Sequence, residues 1–372
     1  MTEHNSPRAA ITQLGATVLV CTYNGALRLP QTLAHLAAQQ MPAGMAWEVV
    51  LVSNASTDDT LVVAPKLWAE LGTPTALRVF DEPRPGKENA LIRGFDEARY
   101  AYICTVDDDN WLYPDYLAQA IATMQAHPEI GILGAYSEGA YEVAPPAWFE
   151  QFQAVYAIGA PSPASGPLAR GANVAGAGSV ISKHGWQLLR ACGFEFNNSA
   201  KRGAVLSGGE DVELGNALQL AGYKTWYDER LRLRHFMYKE RLSWDYLLRV
   251  GCGTATSDLT ALVYYALLRE PTLDAATFGR RYYRWLAWRS WQVLRQPGRI
   301  LTYWLYRHDE THLEAFDTMR QLHTLGVALT GRAEAARIFG RVKKLQQRLQ
   351  QNAATVPNPV TAAEPLSPPV RL

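Results

Sequence analysis

Tyr102-Ile103-Cys104-Thr105-Val106-Asp107-Asp108-Asp109-Asn110 is the stretch on which the reading of this chain turns. Its first half is apolar and β-branched, which suits a strand buried on both faces of a sheet. Its second half is three consecutive carboxylates, followed by Trp111 and a new start at Pro114. No core tolerates three adjacent unpaired carboxylates, because each needs a partner, water or a cation. The acids therefore belong just past the strand's carboxyl end, where ligands of open α/β sheets bind. There they have the chemistry to hold a hard divalent cation through oxygen. A solvated acidic turn meets the same requirement, so the triplet alone leaves both readings open.

The bulk numbers narrow the frame. A chain of 372 residues, 48% hydrophobic and 19% charged, suits one large globular domain with a second region appended. A net charge of +1 gives no reason to expect nucleic acid as a partner. Cys21, Cys104, Cys192 and Cys252 are scattered with no CxxC pair, so a disulfide framework is not expected and a reducing, cytoplasmic location is. Residues 1–14 lack a basic-then-apolar signal pattern and read as a flexible leader without an export signal. No window of about 18 uncharged apolar residues could span a bilayer; the best, Leu259 to Leu268, is too short.

Upstream of the acids, strand-like and helix-like stretches alternate. Ala16 to Thr22 reads as a buried strand broken by Tyr23-Asn24-Gly25, with helical spacing from Leu29 to Gln40. Trp47 to Val52 is a second strand, leading into the polar Ser53-Asn54-Ala55-Ser56-Thr57-Asp58-Asp59-Thr60, which also caps the next helix. Ala76 to Phe80 is a third, and Glu82-Pro83-Arg84-Pro85-Gly86-Lys87 is a loop before a helix from Glu88 to Arg99. Four alternations imply right-handed crossovers and a mostly parallel sheet. The loops at 22–25, 53–58, 83–87 and 107–110 then gather at one sheet edge.

The middle of the chain is less regular. Strands are expected at Ile130 to Tyr136, Gly176 to Ser182 and Lys224 to Tyr227. Helices are expected at Ala144 to Val155, at Trp186 to Cys192 and from Gly208-Gly209-Glu210-Asp211 to Ala221, with a mobile Pro161 to Arg170 connection. Beyond about residue 240 the pattern becomes helical. The expected organisation is a leader at 1–14, an α/β domain at 15–240, a helical region at 241–351 and a disordered tail at 352–372, rich in Pro and Ala.

Taken together, residues up to about 240 resemble the family 2 glycosyltransferases of the GT-A fold. Val20-Cys21-Thr22-Tyr23-Asn24 is similar to the family's opening strand and nucleotide pocket, and Val52 to Asp58 to its second nucleotide loop. Gly86-Lys87 through Gly94 resembles the segment approaching the diphosphate. Asp107-Asp108-Asp109 stands where the family has its DxD element, and Gly209-Glu210-Asp211 resembles its acceptor-side ED motif. His235 falls where some members carry a further metal ligand. Two positions depart from the pattern. Ser53 replaces an aspartate that commonly contacts the base, and a hydroxyl is a less selective acceptor than a carboxylate. Ile92 stands where an Asn is often found.

What the resemblance implies is a metal-dependent, inverting transfer of sugar from a nucleotide-diphosphate donor to a hydroxyl. The acceptor would be a glycan or lipid-linked molecule in polysaccharide or glycolipid assembly at the cell envelope. Asp109 would bind Mn2+ or Mg2+ directly, with Asp107 on ribose or a metal-bound water and His235 completing the shell. Thr22, Tyr23, Asn24, Ser53, Asn54, Lys87, Asp107 and Asp108 would face the donor, Asp108 having the least to do. Asp211 would be the general base. Glu210 beside it suits a helix start whether or not it meets the acceptor. Asn173 would lie under the sugar or acceptor, and Arg241 on a loop closing over the diphosphate.

Two competing functions share parts of this pattern. A sugar nucleotidyltransferase has a similar sheet and acidic site, but Tyr23-Asn24-Gly25-Ala26-Leu27 lacks the basic, Gly-rich loop a triphosphate needs. A catalytically idle nucleotide- or glycan-binding subunit fits Ser53, but not the intact Asp107, Asp109 and Asp211. Finally, Arg280 to Arg307 holds seven arginines and no acid, interleaved with Trp285, Trp288, Trp291 and Trp304. Arg281, Arg284, Trp288, Trp291 and Arg295 share a helical face, the composition of a helix lying on an anionic membrane surface.

Overall fold

The computed structural model of the protein describes residues 13–197 and 208–355. Most of the leader and the tail from residue 356 lie outside the described residues, as does part of the connection before Gly208. Nine strands among the described residues form one sheet. The first half is built from β1 (Gln13–Thr22), β2 (Ala46–Asn54), β3 (Ala76–Glu82) and β4 (Tyr100–Asp107), all parallel. Helices α1 (Leu29–Ala37), α2 (Thr60–Glu70) and α3 (Lys87–Glu97) make the crossovers. Both faces of this half are covered. Val18, Val20, Val49 and Leu51 point to one layer with Leu29, Leu33 and Trp68, while Leu19, Val50 and Val52 point to the other with Leu91, Phe95 and Trp186. That two-sided burial is why the strands read as unbroken apolar runs. Close packing reaches the backbone at Gly94, where an added Cβ would sit 2.1 Å from a methyl of Leu19.

The second half of the sheet is mixed. After β5 (Asn110–Leu112) and α4 (Tyr116–Ala126), β6 (Ile130–Tyr141) leads to the short α5 (Phe149–Phe152) and β7 (Gly166–Pro167). Then come β8 (Val180–Ser182), α6 (Lys183–Ala191), α7 (Glu210–Leu220) and the 14-residue β9 (Lys224–Met237). The order across the sheet is β3-β2-β1-β4-β8-β6-β9-β5, with β7 also on β9. Five helices follow: α8 (Trp244–Arg269), α9 (Ala275–Leu294), α10 (Pro297–Tyr306), α11 (Glu314–Thr330) and α12 (Arg332–Thr355). Tyr264, Leu267, Phe278, Ile338, Phe339 and Val342 of these helices continue the same core that covers Leu19 and Phe95. A second, aromatic cluster joins Trp148, Phe149, Phe152 and Tyr156 to Trp244 and Phe316.

Several expected boundaries move for local reasons. Gln13 and Leu14, expected in the leader, begin β1, and residues 352–355, expected in the tail, end α12. The aromatic helix expected from Ala144 starts only at Phe149, because Pro145 and Pro146 interrupt it; a 3₁₀ turn at Gln153–Tyr156 finishes it. The strand expected from Gly176 is confined to Val180–Ser182, since Gly178 takes a φ of 73° in a turn. The expected mobile connection at 161–170 carries β7, paired to Trp226 and Tyr227. The return strand expected at 224–227 continues to Met237. Asn110, expected as the end of the 107–110 loop, instead opens the short strand Asn110–Leu112, which pairs with it, Asn110 opposite His235.

Candidate active site

Register decides what meets at the sheet edge. Cys21 lies opposite Val52 on one side and Asp107 on the other, and Thr22 lies opposite Ser53. The loops after β1, β2, β3 and β4 therefore leave the sheet side by side, as the alternation predicts. All four are stapled together. Asn54 donates to the carbonyls of Glu82 (3.2 Å) and Arg84 (2.7 Å) and accepts from the Gly86 amide (2.8 Å). Asn24, at φ 49°, accepts from the Thr57 amide (2.7 Å), and its own amide donates to Ser56 Oγ (3.0 Å). Asp108 accepts from Thr22 Oγ1 (2.5 Å) and from Arg28 Nε and Nη2 (2.9 and 2.7 Å).

The side chains of Thr22, Asn24, Asn54 and Asp108, all expected to face the donor, also hold the loops together and so shape the site. Burial raises the Asp108 carboxyl, while Arg28 and Thr22 pull it back down. Ser53 is fully buried and its hydroxyl has no partner, so it does not reach the cleft. Tyr23, by contrast, is 59% exposed and presents a ring beside this edge. Arg28, whose guanidinium spans Asp108 and the Tyr23 carbonyl (2.7 Å), was invisible in the sequence, where one arginine before a helix has no signature.

A cavity of about 230 Å3 opens at the junction of the two sheet halves, lined among others by Cys21, Lys87, Asp107, Glu210, Asp211 and His235. Lys87 Nζ lies 2.6 Å from Asp107 Oδ1. Burial works against the ammonium, but the Asp107 carboxylate outweighs it and raises Lys87 above its ordinary range. Asp211 is clamped at the opposite wall. Thr105 Oγ1 of β4 donates to the Gly176 carbonyl (2.6 Å), fixing the turn whose Gly176 amide donates to Asp211 Oδ2 (2.8 Å). The Val212 amide at the start of α7 donates to Asp211 Oδ1 (2.8 Å). Gly209 enters that helix at φ 105°, a conformation that favours glycine. Just before it, Ser257 of α8 donates to the Gly208 carbonyl.

Glu210 is 6% exposed, and burial pushes its carboxyl up to about 7, Lys87 only partly opposing the rise. That shift was not legible in the sequence, since a carboxylate at a helix start is ordinary. Asn173, expected under the acceptor, lies away from the cavity lining. Its amide nitrogen bonds the Gly171 carbonyl (3.1 Å) and Asn216 Oδ1 (3.2 Å) behind α7.

Asp109 is 3% exposed and sits between two bases. Its Oδ1 lies 3.4 Å from His235 Nε2 and its Oδ2 2.7 Å from Arg241 Nη1. Burial opposes its charge, but His235 and Arg241 dominate and hold the carboxyl well below the usual carboxylate range. β5 and β9 deliver the pair, and the stack of His35, Trp111 and Phe236 (centroids 5.6 and 4.8 Å apart) braces that corner. His235 Nδ1 lies 3.0 Å from the Tyr156 carbonyl. A carbonyl only accepts, so Nδ1 carries a proton toward Tyr156, and Nε2 is the ring nitrogen turned to Asp109. An oxygen and an imidazole nitrogen so oriented fit a divalent cation, and a backbone carbonyl behind the histidine is the usual outer support of such a ligand. Asp107, expected on ribose or a metal-bound water, is paired with Lys87 in this structure. No group of three or more acidic, His or Cys side chains converges on one point among the described residues.

Residues 17–164 match the family described as Glycosyl transferase family 2. The Staphylococcus aureus protein named poly(ribitol-phosphate) beta-N-acetylglucosaminyltransferase TarS is 30% identical over 112 residues, which are 30% of this chain. The chain spans only 19% of that relative's length. Among solved structures, S. aureus TarS 1-349 is 16% identical, with 91% of this chain and 92% of that one covered at a TM-score of 0.46. The mannosyltransferase PcManGT from Pyrobaculum calidifontis, in complex with GDP-Man and Mn2+, is 19% identical, with 92% and 87% covered at a TM-score of 0.49.

Proposed function

Residues 17–164 being a glycosyl transferase family 2 domain, we propose that this chain transfers a sugar from a nucleotide-diphosphate donor to an acceptor hydroxyl, with inversion. The carrying observation is the single cavity that Lys87, Asp107, Glu210, Asp211 and His235 share at the carboxyl edge of the sheet. The donor lies along the stapled loops, its base against the exposed Tyr23 ring and its diphosphate toward Lys87. Asp109 and His235 would hold Mn2+ or Mg2+, which when bound would supply charge neutralisation for the departing diphosphate. Arg241, 2.7 Å from Asp109, has a guanidinium whose geometry also suits phosphoryl oxygens.

Asp211 takes the acceptor proton, oriented for that role by the Gly176 and Val212 amides. A second assignment is favoured by one observation: Glu210, with a carboxyl near 7, is the acid of the cavity that exchanges a proton at neutral pH. The acceptor is a glycan or lipid-linked hydroxyl. The relative TarS is named for a poly(ribitol-phosphate) substrate, and a polyol-phosphate polymer is one acceptor of that class.

Peripheral membrane contact belongs to the same reading. Trp291, Leu294, Leu301, Trp304 and Leu305 of α9 and α10 are each at least half exposed, and the Arg295 guanidinium lies 4.3 Å from the Trp291 ring centroid. No described helix is long and apolar enough to cross a membrane. Two members of the expected face depart from it: Arg281 pairs with Glu270 (2.6 Å), and Trp288 also lines a cavity.

The test is hydrolysis and transfer across UDP-, GDP- and dTDP-sugars with Mn2+. Release of nucleoside diphosphate without pyrophosphate is expected from at least one donor, and EDTA should abolish it. Pyrophosphate release would mark a nucleotidyltransferase, and binding of donors without turnover of any would mark an idle subunit.

A further inference from the structure

A second cavity, of about 780 Å3, lies among α8, α9 and α11. That volume is in the range of small-molecule sites. Asp258, Arg289, Gln292, Arg320 and Gln321 line it, with the half-exposed Trp288 at its solvent edge. None of these residues lines the catalytic cavity.

Arg289 is the anomaly. It is 8% exposed, yet its guanidinium makes no hydrogen bond or ion pair with a described residue, and its Nε is buried without a partner. It lies instead near the rings of Trp285 and Trp288, 5.7 and 5.5 Å from their centroids. Arg320 Nε, in the same cavity, is likewise buried and unpartnered. A guanidinium stays charged in proteins, and a buried charge without a partner is costly. Two in one cavity also repel. Asp258 is the carboxyl that faces them, without a hydrogen bond to either: burial raises it, Thr324 Oγ1 donates to one of its oxygens at 2.8 Å, and Arg320, Arg289 and His323 draw it down only in part. Asp317, the other acid of the lining, is exposed.

We propose that this cavity binds a phosphorylated polyol, with Arg289 and Arg320 on the phosphoryl oxygens and Asp258, Gln292 and Gln321 on the hydroxyls. Guanidinium forks match phosphoryl oxygens in geometry as well as charge. Carboxyl and amide side chains supply the acceptors and donors that a row of hydroxyls needs. The same chemistry occurs in a soluble sugar phosphate and in the headgroup of a glycerophospholipid. The site is independent of the transferase reading, because it is built from other helices.

Calorimetric titration of the full chain, with UDP present to fill the donor cleft, tests it. The probes are glucose 6-phosphate, glucose, inorganic phosphate and vesicles of phosphatidylglycerol. Glucose 6-phosphate is expected to bind at least tenfold more tightly than glucose or phosphate, and Arg289→Gln and Arg320→Gln each to weaken it at least tenfold with UDP binding unchanged. Binding to vesicles alone, lost in both variants, would identify the phosphoryl group as a headgroup and support the site. No binding of any probe, equal binding of glucose, or affinities that neither variant changes would overturn it. Arg289→Met adds a stability readout. Without ligand its Tm should equal or exceed that of the parent, since an unpaired buried charge is removed; a lowered Tm would make Arg289 a structural residue and overturn the proposal.

Discussion

The two halves of the sheet contribute to the cleft in opposite ways. The parallel half supplies loops whose polar side chains are already satisfied: Asn54 holds three backbone groups and Asp108 binds Thr22 and Arg28. The mixed half, with the helices next to it, supplies groups in contested positions. His235 and Arg241 crowd one carboxylate, and Glu210 is buried near the midpoint of its titration. On the proposed function, one half is the mould and the other carries the chemistry. Binding costs less when the mould is preformed, whereas proton and charge movement needs groups whose state is finely balanced.

The largest effect expected from breaking that division is at Asp211. Asp211→Asn removes the basicity and, because a carboxamide has one accepting oxygen, keeps only one of the contacts to the Gly176 and Val212 amides; turnover should fall by about 10²–10⁴, with UDP affinity near the parent value and a modest fall in Tm. Steady-state kinetics and calorimetry together check this. If Glu210→Gln instead gives the deeper loss, the proton assignment passes to Glu210.

Glu210→Gln also has a stability signature. The folded carboxyl titrates near 7 against 4.5 unfolded, so the unfolded state releases its proton first as pH rises. The native state therefore loses stability between about pH 4.5 and 7 from this group. Its cost is absent at low pH and greatest above 7, where it is at most about 3 kcal/mol. Glu210→Gln should stabilise the protein at pH 8 and change little at pH 4, as read from urea unfolding at both values.

On the parallel side, Asn54→Ala strips bonds from three buried or half-buried backbone groups and should cost about 2 kcal/mol, with weaker nucleotide binding and no change in the pH profile of turnover. A changed profile would dissolve the distinction between mould and machinery. The smallest effect is expected at Arg241. Removing its competition for Asp109 in Arg241→Ala should tighten Mn2+ binding a few-fold, roughly 1 kcal/mol, measured by electron paramagnetic resonance of free Mn2+ in the absence of donor.

The same division explains what could be read from the sequence. The parallel half was legible because burial on both faces writes uninterrupted apolar runs, as at Val18 to Val20 and Val49 to Val52, and because turn residues punctuate them. The mixed half was not, since β9 alternates exposed arginines with buried Leu231, Leu233 and His235 and pairs with the three-residue β5, too short to leave a period. Motif resemblance is what singled out Asp109, His235 and Asp211. The loop bonds of Thr22, Asn24 and Asn54 were not legible, because a hydroxyl or amide looks the same in sequence whether it faces a ligand or a loop carbonyl. The inward turn of Arg289 was hidden for a similar reason, one arginine among seven giving no sign of its direction.

Cys21, at the end of β1, gives the cleft a sulfur atom with unusual manners. Burial pushes its thiol up to about 12, so near neutrality almost none of it is thiolate, the form that alkylating reagents and peroxide attack. All four cysteines are unpaired, yet the one lining the cleft is chemically quiet. A thiol-directed inhibitor aimed at it would have little to react with, and peroxide would attack it only slowly.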